Sequence, residues 1–323
     1  MKKMILSLCA GAFLACGSAF AMRTPVEFFN NGIKIAGMLY IPDDYMGDKK
    51  LSGIVVCHPA GGVKEQTSGR YSEELSKKGF ATLTFDAARQ GESEGEPRGL
   101  EDPFQRAEDI RSAVTYLATR DFVDEEKIGI LGICAAGSYV SYAAQTDLRM
   151  KAIATVSAVD PAGELLEDPE IRKSLLEQTG KIRNLEMKNG GTTFWSHVNP
   201  GTPAEANAYP ERSMFRESYY YYVDGIGKHP NSTGWGVMKY DMLAHFKPFE
   251  HMDWISPRPL LMIVGTEADT ARWSENAIKS AGKNAELFRI KGASHMDMYY
   301  KDNYVAQAVE KLADFFTKNL DGK

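Results

Sequence analysis

The chain has 323 residues, 43% of them hydrophobic, which is enough apolar material for one large core and requires no second domain. Its formal net charge is -5, with no long basic run. That excludes a nucleic-acid binder of the kind that gathers Lys and Arg on one face, and leaves the substrate class open.

At the N-terminus, Lys2 and Lys3 precede an apolar stretch, 4–14, that is too short to span a bilayer, and Ala19-Phe20-Ala21 supplies an A-x-A site. Residues 1–21 are therefore expected to be a removed signal peptide, giving a secreted or periplasmic domain over 22–323 without a transmembrane anchor. Cys16 raises a competing lipoprotein reading, but Phe13-Leu14-Ala15 before it matches a lipobox poorly. Cleavage would leave Cys57 and Cys134, and in an oxidising compartment a close pair is a disulfide candidate.

Apolar or alternating runs at 26–29, 33–41, 53–57, 80–85, 127–131, 152–156, 260–264 and 287–290 read as eight strands. Asn30-Asn31-Gly32 is a hairpin-type turn between the first two. Helical stretches such as 69–78 and 103–118 divide the later ones; in the second, Ala107, Ile110, Ala113, Val114 and Leu117 recur at helical spacing. An antiparallel start followed by strand and helix alternation predicts an α/β fold, an eight-stranded, mostly parallel sheet flanked by helices. From 159 to 256, after the sixth strand, the alternation stops and short helical pieces are broken by Gly190-Gly191, Pro200-Gly201, Pro210 and Pro230. So long an interruption predicts a large helical insertion or lid. Trp195, Tyr219 to Tyr222, Trp235 and Phe246 within it could shape an apolar pocket, or simply pack the insertion onto the core.

The stretch Gly132-Ile133-Cys134-Ala135-Ala136-Gly137 follows a strand and precedes helix-forming residues. A reactive side chain on a sharp strand-to-helix turn sits on strained backbone and needs small neighbours, which Gly132, Ala136 and Gly137 provide. Such a thiol needs a base, and the base needs a third group to fix its tautomer. The strand at 260–264 leads into Gly265-Thr266-Glu267-Ala268-Asp269, making Asp269 the expected acid with Glu267 in reserve. The strand ending near Ile290 leads into Gly292-Ala293-Ser294-His295, making His295 the expected base. His197, His229, His245 and His251 lie away from any strand-end turn. His58 opens His58-Pro59-Ala60-Gly61-Gly62 directly after a strand, where a small-residue loop can offer backbone N–H groups to an oxyanion. Ala60 and Ala135 are the expected donors. No HExxH and no phosphate-cradling glycine loop occurs, so neither metal nor cofactor is expected.

With these elements in order, the chain resembles the α/β-hydrolase superfamily, and within it the dienelactone-hydrolase-like branch, many members of which carry Cys at the elbow. The resemblance is carried by residues 58–66, by Phe85-Asp86 with Gln90-Gly91-Glu92-Ser93, by 132–137, and by Ser294-His295-Met296-Asp297. It implies Cys134, Asp269 and His295 as a catalytic triad and a resting-state influence of Glu65 on the thiol. The expected activity is cleavage of a small-molecule carboxylic ester, lactone or thioester through an acyl-cysteine. The rivals are a non-catalytic binding protein, its elbow a relic or locked as a Cys57–Cys134 disulfide, and a peptidase or acyltransferase on the same scaffold.

Overall fold

A computed structural model describes residues 21–322 apart from 162, 191–195, 198, 233–234 and 237. The expected signal peptide lies outside the described residues except for Ala21, which opens the first strand. Eight strands form one sheet: β1 (Ala21–Asn30), β2 (Ile33–Pro42), β3 (Leu51–Cys57), β4 (Ala81–Phe85), β5 (Val123–Ile133), β6 (Met150–Val156), β7 (Leu260–Gly265) and β8 (Ala285–Ile290). Their order across the sheet is β1-β2-β4-β3-β5-β6-β7-β8. β2 pairs antiparallel with β1 and β4, and every other pairing is parallel.

β3, β4 and β7 are buried along their whole length, as continuous apolar strands of a sheet covered on both faces must be. On one face lie α2 (Pro103–Ala118), α3 (Ala135–Thr146) and α6 (Ala271–Ser280); on the other lie α1 (Thr67–Ser76) and α8 (Asp302–Phe316). α2 has the bounds that its periodicity predicts, and all five residues of its apolar stripe are buried. Its start is fixed by Asp102, whose carboxylate accepts from the N–H groups of Phe104 and Gln105, followed by Pro103, which needs no donor there.

Between β6 and β7 the chain runs through α4 (Pro169–Lys188), α5 (Met214–Ser218) and a π-helical turn, Tyr219–Val223, besides shorter pieces. Phe246 packs into the core against Phe104, Tyr139 and Tyr142. Trp195 lies outside the described residues. Among the described residues no helix is long and apolar enough to cross a membrane.

The parallel strands send the loops after β3, β5, β7 and β8 to one edge. There the chain turns from β5 into α3 within a single residue, Cys134, at φ +59° and ψ -124°. This turn exists because its neighbours have no side chain to place: a Cβ on Gly132 would lie 2.3 Å from Ala136 O, and one on Gly137 would lie 2.5 Å from Ala158 Cβ. Gly132→Ala must push backbone against backbone, and a loss of about 3 kcal/mol or more is expected, at the upper end of overpacking costs. Urea unfolding checks it; an unchanged midpoint would contradict this account of the turn.

Candidate active site

The turn at Cys134 is pinned by backbone. Its N–H donates to Val156 O at 3.0 Å, and its carbonyl accepts from Gly137 N at 2.8 Å and Val159 N at 3.2 Å. Cys134 is half-buried, and both it and Cys57 are free thiols. Cys57 ends β3 opposite Gly132 in the register, fully inside the core. Burial pushes the Cys134 thiol up to about 11, although hydrogen bonds from the Tyr299 hydroxyl and the Ala135 N–H favour its ionised form.

His295 is completely buried in the loop after β8. Its Nε2 lies 3.1 Å from Tyr299 Oη, and its Nδ1 lies 2.7 Å from Thr270 Oγ1. Tyr299, on the short helix α7 (Asp297–Tyr300), is thus the shared neighbour of imidazole and thiol. Burial lowers His295 to about 3, so the ring is neutral at physiological pH. The hydroxyl at Nδ1 belongs to the residue after the expected Asp269. Asp269 turns its carboxylate to the Met214 N–H, at 3.1 and 3.2 Å, and so meets the start of α5. A threonine at this position carries no strong sequence signal, since nothing in its spacing separates it from a helix-starting residue.

Glu267 pairs with Arg212 at 2.8 Å, and Glu65 pairs with Lys64 at 2.7 Å. Lys64 is buried and needs counter-charge, so Glu65 serves the ammonium, while the thiol's partners are Tyr299 and Ala135. His58 is also a support. Its Nδ1 meets Pro59 O at 2.7 Å, its Nε2 accepts from Ala87 N at 3.1 Å, and Arg106 lies 3.0 Å from the ring while donating to the His58 carbonyl. Burial, with the Arg106 charge second, holds this imidazole well below its ordinary value. The ring fixes the following loop, where Gly61 at φ +65° completes a turn closed by Gly62 N–H to Pro59 O, and Ala60 stands half-buried at its bend. The other described histidines stand elsewhere: His251 stacks on Trp254, and His245 is exposed. Of His197 only the backbone is described.

The segment between β6 and β7 grips both sides of this edge. Ser232 Oγ donates to Gly61 O, and Gln66 donates to Gly227 O beside the Ala60 loop. Arg212 donates to Gly292 O and Asp297, and Ser294 Oγ donates to Glu217, beside the His295 loop. Where the segment meets the loop after β7 a cavity of about 740 Å³ opens, with Val159, Met214, Phe215, Asp269, Thr270 and Trp273 in its wall.

A profile of the dienelactone hydrolase family matches residues 35–190. The protein YcjY of Escherichia coli (strain K12) is 33% identical over 310 residues, covering 93% of this chain and all of YcjY. The chain belongs to the dienelactone hydrolase family. The crystal structure of the hypothetical protein PA2218 from Pseudomonas aeruginosa superposes with a TM-score of 0.83 at 31% identity, over 98% of this chain and 100% of that one. The thiohydrolase aneE of Aspergillus aculeatus is 26% identical over 257 residues, 77% of this chain and 78% of aneE. Family and neighbours together make this an α/β hydrolase with a hydrolase-like function.

Two buried neutral imidazoles give the fold a pH dependence of definite sign. Once unfolded, His58 and His295 protonate near pH 6.5; in the fold they do not, so the unfolded state binds the extra protons and stability falls as pH drops below that value. For His295 the loss from pH 7 to pH 5 is about 2 kcal/mol, and His58 adds in the same direction. Comparing urea midpoints of the wild type and His295→Gln at the two pH values isolates the first part; equal slopes would refute it.

Proposed function

We propose that this protein is an exported hydrolase that cleaves a carboxylic ester, lactone or thioester through an acyl-cysteine on Cys134. Export rests on the lysine start, the short apolar stretch and the A-x-A site of residues 1–21. The observation that carries the chemistry is a thiol on a positive-φ strand-to-helix turn, joined through one hydroxyl to a buried neutral imidazole.

Neither partner is charged at rest, so sulfur loses its proton only as it bonds to carbon. Cys134 Sγ attacks the carbonyl carbon; its proton passes to Tyr299 Oη as the Tyr299 proton passes to His295 Nε2. The carbonyl π pair moves onto oxygen, where the N–H groups of Ala135 and Ala60 meet it. As the adduct collapses, the imidazolium protonates the departing oxygen or sulfur, leaving the acyl group on Cys134. Water then attacks the thioester, its proton returning by the same path, and releases acid and thiol. Thr270 holds Nδ1–H so that Nε2 faces Tyr299, and Asp269, one residue away, fixes the Thr270 loop to the start of α5. The β6–β7 segment acts as a lid, and the 740 Å³ cavity it walls together with Asp269 and Thr270 has the size of a small-molecule site. That the relative aneE is a thiohydrolase supports including thioesters among the substrates.

Intact mass after brief exposure to activated esters and thioesters of varied chain length tests the reading. One acyl group is expected on the wild type and none on Cys134→Ala, which also loses turnover; a Cys134→Ala enzyme at full rate ends the proposal. Thr270→Val should lower kcat by about tenfold or more, part of the hundred- to ten-thousandfold worth of a general base, with little change in KM. A steady-state comparison with Asp269→Asn checks this assignment, and a Thr270→Val enzyme with wild-type kcat overturns it.

A further inference from the structure

The π-helical turn Tyr219–Val223 buries three rings, Tyr219, Tyr221 and Tyr222, while Tyr220 stays half out in solvent. Tyr222 is 5% exposed and stands edge-on to Tyr221 at 4.7 Å and to Tyr299 at 6.4 Å. Tyr299 is the residue that touches both Cys134 and His295, so the Tyr222 ring forms the next wall of the same chamber. The titratable groups that bear on its phenol are Tyr221, Cys134, Arg106 and Glu101. Arg106 supports the His58 loop, and Cys134 packs against the same buried cluster that holds Tyr222 and Tyr299.

Among the described residues this hydroxyl is buried with no hydrogen-bond partner. An unmet buried hydroxyl costs about 1–3 kcal/mol, and phenylalanine would fill the same space without that cost. A donor kept at such expense beside a reactive thiol needs an acceptor that arrives from outside.

We propose that Tyr222 binds substrate: its hydroxyl donates a hydrogen bond to the carbonyl oxygen of the acyl group and keeps that bond as the oxygen becomes an anion in the adduct on Cys134. The inference rests on the acyl-cysteine reading and deepens it by adding a side-chain donor from the β6–β7 segment to the backbone donors Ala135 and Ala60. Burial holds the phenol far above its ordinary value, so the proton to be donated is present throughout the working pH range. The segment would thereby do more than cover the site, because acylation would require it to be seated.

Tyr222→Phe separates this role from a structural one. With p-nitrophenyl butyrate as probe, the acylation burst should slow about a hundredfold, the lower end of what one oxyanion donor is worth. The urea midpoint should stay level or rise, since no bond is lost. Alkylation of Cys134 by iodoacetamide, which develops no oxyanion, should keep its wild-type rate. A wild-type burst rate in Tyr222→Phe overturns the inference and leaves the acyl-cysteine reading intact. A lowered midpoint overturns it too, by revealing a protein partner for the hydroxyl. A wild-type enzyme that hydrolyses the probe without ever carrying the acyl group on Cys134 fails the reading itself, and the inference falls with it.

Discussion

One residue forced into left-handed backbone organises the edge of this sheet. At φ +59° Cys134 carries a strain of about 1–3 kcal/mol, tolerated because the surrounding structure fixes it: two backbone hydrogen bonds to its carbonyl, one from its N–H, and glycines on either side that close on Ala136 and Ala158. A relaxed φ would swing Sγ away from Tyr299 and turn the Ala135 N–H off it. The same turn makes Cys134 the N-cap of α3, where the helix dipole favours an anion. Burial outweighs that preference, and the thiol stays protonated until a substrate arrives.

The side of the edge that carries Ala60 is built from buried charge. Lys64 meets Asp86 at 2.9 Å through its ammonium and at 2.8 Å through its backbone N–H, and Asp86 also accepts from Glu92 N, which ties the loop after β3 to the loop after β4. Gly91 follows from that contact, since a Cβ there would lie 2.2 Å from the Asp86 carboxylate. A second set joins Glu101, Arg106, Gln90 and Tyr139 around His58. Buried ion pairs stabilise little after desolvation is counted, so their value here is in position: they hold Ala60 at one place relative to Cys134. The motifs that carry the family resemblance at 58–66 and 85–93 are in this sense scaffolding for a loop, with little direct part in the chemistry.

The strands, α2 and the strand-end positions of the site were legible because each follows from a period or a turn that one short window contains. The hydrophobic stripe of α2 and the glycines of the elbow are of this kind. α1 starts at Thr67, two residues before its expected start, because no capping side chain marks its first turn. What the windows could not contain were pairings between distant loops. That Lys64 would claim Glu65, that Arg212 would claim Glu267, and that a hydroxyl from Thr270 would stand at His295 Nδ1 are outcomes of packing across more than twenty residues in the last two cases. Tyr299 escaped for the same reason: one turn beyond His295, it reads as a helix aromatic, and only the fold brings it against Cys134. The tyrosine run at 219–222 was visible as a possible pocket wall, but not which of its four hydroxyls would be left without a partner.

A neutral thiol and a neutral imidazole make a different device from the ion pair that activates many cysteine enzymes. An ionised sulfur is reactive at all times, towards oxidants as well as towards carbonyls, and the thiolate is the form that enters the oxidation ladder. Held near 11, the Cys134 thiol presents almost no thiolate at neutral pH, and the Tyr299 hydroxyl stands between it and His295. Replacing a carboxylate by the Thr270 hydroxyl at Nδ1 works in the same direction, because a hydroxyl orients the ring while stabilising an imidazolium far less than a carboxylate does. The cost is a harder proton transfer, and it must be offset by whatever stabilises the developing oxyanion. On the acyl-cysteine reading, the weaker the base, the more of the barrier falls to the donors around the carbonyl oxygen, and that gives the buried Tyr222 hydroxyl a physical reason to be there.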